Sequence, residues 1–108
     1  MAKQQNIIID QGTDIVIVTT VLDANGELMN LSDYTATSKI RKHYQSNTAI
    51  SFTCDINANN EITMALTNIQ TDAIDPGRYV FDLEIKNSAN IISRILEGIC
   101  TVKPSVTY

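Results

Sequence analysis

His43 is the only histidine in the chain, and no cysteine or second histidine stands near it at the spacing of metal ligands. A protein zinc site draws on several such ligands at once, so His43 does not announce one. A Ser–His–Asp relay would also have to use His43, and the sequence has no Gly-x-Ser-x-Gly elbow. Asp10 and Asp14 bracket Gly12, and Asp72 and Asp75 bracket a second turn. Paired loop carboxylates can hold calcium or move protons. Neither pair has the dense Asp-x-Asp-x-Asp spacing of a calcium loop, and Asp75 before Pro76 reads as a turn initiator. The four glycines are scattered rather than gathered into a phosphate-cradling loop. The expectation is a protein that is not an enzyme, with no catalytic residue, cofactor or metal.

Cys54 and Cys100 sit in apolar alternating runs, where a free cysteine acts as a small hydrophobe, and a bridge between them stays open. The formal charge is −4. That sign opposes non-specific nucleic-acid binding, which needs a cationic surface. Lys39, Arg41 and Lys42 form the one basic cluster, and it reads as a solvated strand face. The start, from Met1 to Asn6, has neither an apolar span nor a cleavage site. Synthesis in a cytoplasm, with no membrane association, is expected.

The elements that must carry these residues are strands. Ile, Val and Thr make up roughly a third of the chain. The clearest unit begins at Asp75-Pro76-Gly77. Tyr79, Phe81, Leu83 and Ile85 then fall on one face, with Asp82, Glu84 and Lys86 on the other. Asn87 to Asn90 supply a turn, and a second strand runs from Ile91 to Val102. Earlier, Asp14 to Leu22 is apolar on both faces near its start, which suggests a central or covered strand. Asn25-Gly26 follows it as a hairpin signal. Ala36, Ser38 and Ile40 point inward from the next strand and are small enough to require something bulky opposite, Tyr79 and Phe81 being the candidates. Ser46-Asn47 reads as a turn. Ile50, Phe52 and Cys54 share a face, as do Ile62, Met64 and Leu66. Thr67 to Ile74 fits one helical turn with Thr67 as its N-cap.

About seven strands with turn signals roughly every 8 to 12 residues predict an all-β chain, an immunoglobulin-like β-sandwich with at most one short helical turn. Residues 1–108 form one such domain. Two places carry more apolar surface than a small sandwich needs. Ile7, Ile8 and Ile9 are consecutive and show isoleucine on both faces. Ile91, Ile95 and Ile99 share one face, while Ile92, Leu96, Cys100 and Val102 share the other. Either the chain's own ends cover the extra face or another subunit does. Ile7, Ile8, Ile9, Ile91, Ile95 and Ile99 are therefore the expected contact residues.

Five segments occur in order along the chain: Ile9-Asp10-Gln11-Gly12-Thr13-Asp14, Leu31-Ser32-Asp33-Tyr34-Thr35-Ala36, Ile40-Arg41-Lys42, Pro76 to Ile85, and Arg94-Ile95-Leu96-Glu97-Gly98. Together they resemble small β-sandwich virion structural proteins of tailed bacteriophages and prophages. The resemblance implies a multicopy particle component located in the virion: a capsid decoration, a head–tail neck protein or a tail-fibre adaptor. Its partners would be other virion proteins of the head, neck or tail, or further copies of itself. The competing class is a glycan- or receptor-binding sandwich on a tail. Such sites present aromatic rings for stacking, whereas Tyr34, Tyr44, Tyr79 and Tyr108 are scattered and tryptophan is absent.

Overall fold

The computed structural model describes residues 3–23, 25–43 and 49–105. The expected turn at Ser46-Asn47, and the side chains of Tyr44 and Tyr108, lie outside them. The alternation read from the sequence becomes strands β1 (Lys3–Gln4), β2 (Ile7–Asp10), β3 (Ile15–Thr20), β4 (Thr35–Arg41), β5 (Ile50–Ser51), β6 (Thr53–Ile56), β7 (Glu61–Leu66), β8 (Gly77–Lys86) and β9 (Ile92–Lys103). One helical turn, α1 (Asn68–Asp72), lies between β7 and β8. The strands form two sheets. The larger runs β1-β9-β8-β4-β5, with β2 also paired to β9, and the smaller runs β3-β7-β6. This is the immunoglobulin-like sandwich that the spacing predicts.

Inward residues of both sheets make one aliphatic core. Ile40, Phe81, Leu83, Ile85, Leu96 and Cys100 line it from the larger sheet, and Ile62, Met64 and Leu66 from the smaller. Tyr79 and Phe81 do not face Ala36, Ser38 and Ile40 across the core. β8 pairs beside β4 in the same sheet, with Ser38 opposite Leu83 and Ile40 opposite Phe81. On its other edge the β4 backbone meets Phe52, whose N–H donates to the Ser38 carbonyl at 3.0 Å. There the single run seen in the sequence divides: β5 pairs with β4, and β6 pairs with β7. Buried Phe52 is the pivot.

The β8–β9 hairpin closes as its asparagines predict. The Asn87 side chain accepts from the N–H groups of Ala89 and Ile91, and Asn90 takes a left-handed φ of 64°. Its pairing carries a bulge that periodicity does not reveal, a register shift at Leu83/Glu84, with Leu83 opposite Leu96 and Glu84 opposite Arg94. Ile95 is the extra residue. Before the bulge, Ile92 and Arg94 point outward; after it, Leu96, Cys100 and Val102 point inward.

Two neighbouring corners close one end of the sandwich, where the Gln11 side chain also donates to the Ile74 carbonyl at 3.1 Å. Thr67 caps α1 in a capping box with Gln70. The buried Thr71 hydroxyl donates to the Thr13 carbonyl at 2.8 Å and accepts from Gly12 N–H at 3.0 Å. Asp14 accepts from the backbone of Asn68 at 2.6 Å, which holds the start of α1 against the β2–β3 turn. At the other corner the Tyr79 hydroxyl donates to the Asp75 carbonyl at 2.7 Å, four residues upstream, in the manner of a tyrosine corner.

Candidate functional site

Two of the paired aspartates take part in the architecture, one by its side chain and one by its backbone. Asp14 holds α1, and Asp75 contributes its carbonyl to Tyr79. His43 is exposed just beyond the end of β4. Among the described residues, no group of three or more His, Cys, Asp or Glu side chains is placed to hold a metal ion. Cys54 and Cys100 are both free thiols, and burial pushes the Cys100 thiol up to about 12, which leaves it unreactive at neutral pH. No helix among the described residues is long and apolar enough to cross a membrane.

The isoleucines expected at contacts separate into different environments. Along β2 the side chains alternate strictly, so Ile7 and Ile9 are buried in the core while Ile8 is 59% exposed. Burial removes Ile7 and Ile9 from any contact surface. Ile91, at 61% exposure, stands at the hairpin tip beside Ile92 at 58%. Ile95 is half-buried against the core, and the bulge between them places Ile99 on the opposite side of the strand. Ile99 lies half-buried on the outward face opposite Val80. The same bulge brings Ile92 outward, although its position in the alternation groups it with Leu96.

β3 departs furthest from expectation. It is neither central nor covered, but an edge strand of the smaller sheet. Its outward residues Val16 and Val18 are 65% and 54% exposed. They continue across the sheet into Ala65 and Thr53 in one row and Thr63 and exposed Asp55 in the next. Leu22 and Leu28, which face each other across the hairpin after β3, are exposed as well. The sequence did hold a signal for this surface: Ile15 to Leu22 is uncharged on both faces, which suits a covered strand and equally an edge awaiting cover.

The larger sheet presents a different exterior. Arg94 sits 3.4 Å from Asp82, 3.7 Å from Glu84 and 3.6 Å from Glu97, with Lys39 paired beside Asp82. Partial burial raises the Asp82 carboxyl above its usual range, the Glu84 charge adds to that, and Arg94 opposes it. The Lys42 ammonium lies 4.7 Å from the centre of the Tyr79 ring. Tyr34 borders a shallow recess of about 450 Å³ with Asn30, Asn57 and Asn60. The side-chain carbonyls of those asparagines are already bound to backbone N–H groups of nearby turns.

No family model matches the sequence, and no curated protein matches it. Solved structures do share its fold. The filamin domain of Lin-41 superposes with a TM-score of 0.55 at 15% identity, over 89% of this chain and 82% of that one. An internalin-like protein of Listeria monocytogenes gives a TM-score of 0.51 at 18% identity. That match covers 94% of this chain but only 28% of the internalin-like protein. At such identities the likeness is one of fold alone. Neither neighbour is a phage protein.

Proposed function

We propose that this chain is a non-enzymatic docking module, a multicopy structural component of a tailed-phage particle that acts through protein–protein contact. The observation carrying this reading is the distribution of apolar surface. Val16, Val18, Leu22 and Leu28 on one side, and Ile91 and Ile92 at the hairpin tip, are large apolar side chains left in water by a core that is complete without them. Grouped exposure of this kind marks interaction surfaces. The phage assignment comes from the sequence segments alone. The architecture is compatible with it, since the quoted segments build corners and turns of a rigid sandwich.

The test is light scattering of the purified chain, alone and mixed with empty phage heads. A discrete oligomer, or stoichiometric loading onto heads, is the expected result. A monomer that ignores heads would contradict a lattice or decoration role. The glycan-binding alternative has one feature in its favour, the recess beside Tyr34. It predicts saturable binding of a soluble oligosaccharide that is lost in Tyr34→Ala.

A further inference from the structure

We propose that the free edge of β3 is a strand-acceptor site, and that its occupant is an extended segment of another protein with small apolar residues alternating along it and lysine or arginine at its ends. The proposal rests on the docking reading above and assigns it a place.

The four sheet edges differ in how they are protected. β5 is only two residues long. β6 is four residues long and carries exposed Asp55. The β1–β2 edge is interrupted at Gln5–Asn6, where the Asn6 side chain replaces a backbone acceptor for Ile99 N–H. These are the usual devices against edge-to-edge pairing: shortness, charge and irregularity. β3 has none of them. Its six residues, Ile-Val-Ile-Val-Thr-Thr, include no charge, proline or glycine, and pair with β7 in unbroken register. An edge strand presents unpaired N–H and C=O groups at strand spacing, and the geometry that satisfies them is another strand.

A second observation points to the same place. The inward residues Ile15 and Ile17 are only half-buried, although their partners on β7, Leu66 and Met64, are fully buried. Among the described residues, no strand therefore forms a side wall along β3. Beyond Ile15 and Ile17, at the C-terminal end of β3, a groove of about 460 Å³ opens between the sheets, with Thr19, Val21 and Leu22 on one wall and Lys3, Arg94, Ile95 and Leu96 on the other. A strand added to β3 would turn alternate side chains over this seam, where small apolar groups fit.

Charge decides between a second copy and a different chain. β3 is flanked by Asp14 and Asp23, and no salt bridge to either is present among the described residues. In an antiparallel β3–β3 dimer each end would bring Asp14 of one copy towards Asp23 of the other, between chains that each carry −4. Cationic ends on the incoming segment turn that repulsion into attraction. Of the two cations on the far wall, Arg94 is engaged by Asp82, Glu84 and Glu97, and Lys3 belongs to β1 on the other sheet.

The experiment titrates the isotopically labelled full chain with two synthetic peptides that share an alternating Val-Thr core. One carries paired lysines at both ends, the other paired glutamates. The lysine peptide is expected to shift the β3 amides saturably and to bind at least about tenfold more tightly than the glutamate peptide, a gap that closes in high salt. Thr19→Lys, which places a cation on the seam, is expected to abolish binding with an unchanged thermal midpoint. If that variant does not fold, Asp23→Asn is the substitute, and it is expected to narrow the gap between the peptides. Absence of shifts, equal affinity for both peptides, or shifts confined to β6 or β9 would overturn the proposal. Dimerisation through β3 without peptide would overturn the heterologous occupant in favour of a second copy. Thr19→Lys that folds and still loads onto heads would remove β3 as the acceptor but leave the docking module standing; a wild-type chain that is monomeric and does not load would contradict the lattice or decoration role itself.

Discussion

On the outward face of the larger sheet, Arg94 is ringed by Asp82, Glu84 and Glu97, and each charge has a partner of opposite sign. On the outward face of the smaller sheet, Val16, Val18, Ala65, Thr63 and Thr53 lie beside Asp55 and Glu61, with no cation among these strand residues to pair with them. The edges repeat the difference. The larger sheet ends in a kinked strand fitted against Gly98, whereas the smaller ends in regular, uncharged β3. One layer satisfies itself, and the other leaves both backbone and apolar surface unmatched. A sandwich needs two layers to bury its core, but only one of them has to face water alone. The asymmetry is what a docking module requires: one exterior that resists contact and one that accepts it.

The most severe way to break the contrast is Gly98→Ala. A Cβ there would collide with the Gln5 carbonyl, which is backbone and cannot swing aside. The substitution is expected to cost about 2–4 kcal/mol and to release β1 from β9, giving the larger sheet an open edge of its own. Chemical denaturation and amide exchange at Glu97 and Ile99 would show it; retention of the Gln5–Glu97 hydrogen bond would refute it.

Thr71→Val tests the corner where the sheets are tied together. It leaves Gly12 N–H and the Thr13 carbonyl without the hydroxyl that joins them, at an expected cost of about 1–3 kcal/mol. An unchanged denaturation midpoint would mean that water replaces the hydroxyl without penalty.

Val18→Lys tests the contrast by placing a cation on the outward face of the smaller sheet. Stability is expected to change by no more than about 0.5 kcal/mol, since the residue already faces water. Loading onto heads should fall, and a cosedimentation assay measures that. Equal loading would exclude the outward face of β3 from the contact.

The smallest effect belongs to Asp82→Asn. The folded-state pKa of Asp82 is raised, so the folded chain holds its proton to higher pH than the unfolded chain does. Stability from this group is therefore greatest in acid and declines as pH rises from the unfolded value through the raised one. In Asp82→Asn that decline is expected to vanish, while loss of one half-exposed ion pair changes neutral-pH stability by about 0–1 kcal/mol. Denaturation midpoints compared across acidic pH would reveal a persisting decline if another group is responsible.

Period-two alternation made β7 and β8 legible in the sequence, and Thr67 before a short apolar pair made α1 so. The segments carrying the phage resemblance prove architectural: Gln11 to Asp14 holds α1, Tyr79 makes the corner to Asp75, and Gly98 admits the N-terminal strand. What could not be read were events between strands. The bulge at Ile95 reverses the sidedness of everything before it, because alternation records neighbours along a strand and not its register against another. Whether Ile15 to Thr20 lies at a centre or an edge has the same cause. An apolar strand on both faces looks identical in sequence whether its cover is within the chain or on another molecule.

Amide hydrogen exchange on the chain, alone and mixed with empty phage heads, addresses the asymmetry most directly. In the isolated chain, β3 amides that face the open edge should exchange rapidly beside well-protected β8 and β9 amides, and binding should protect β3 while leaving the larger sheet unchanged. Protection that instead appears on β8, β9 and β4 would place the contact on the charged layer and contradict the account.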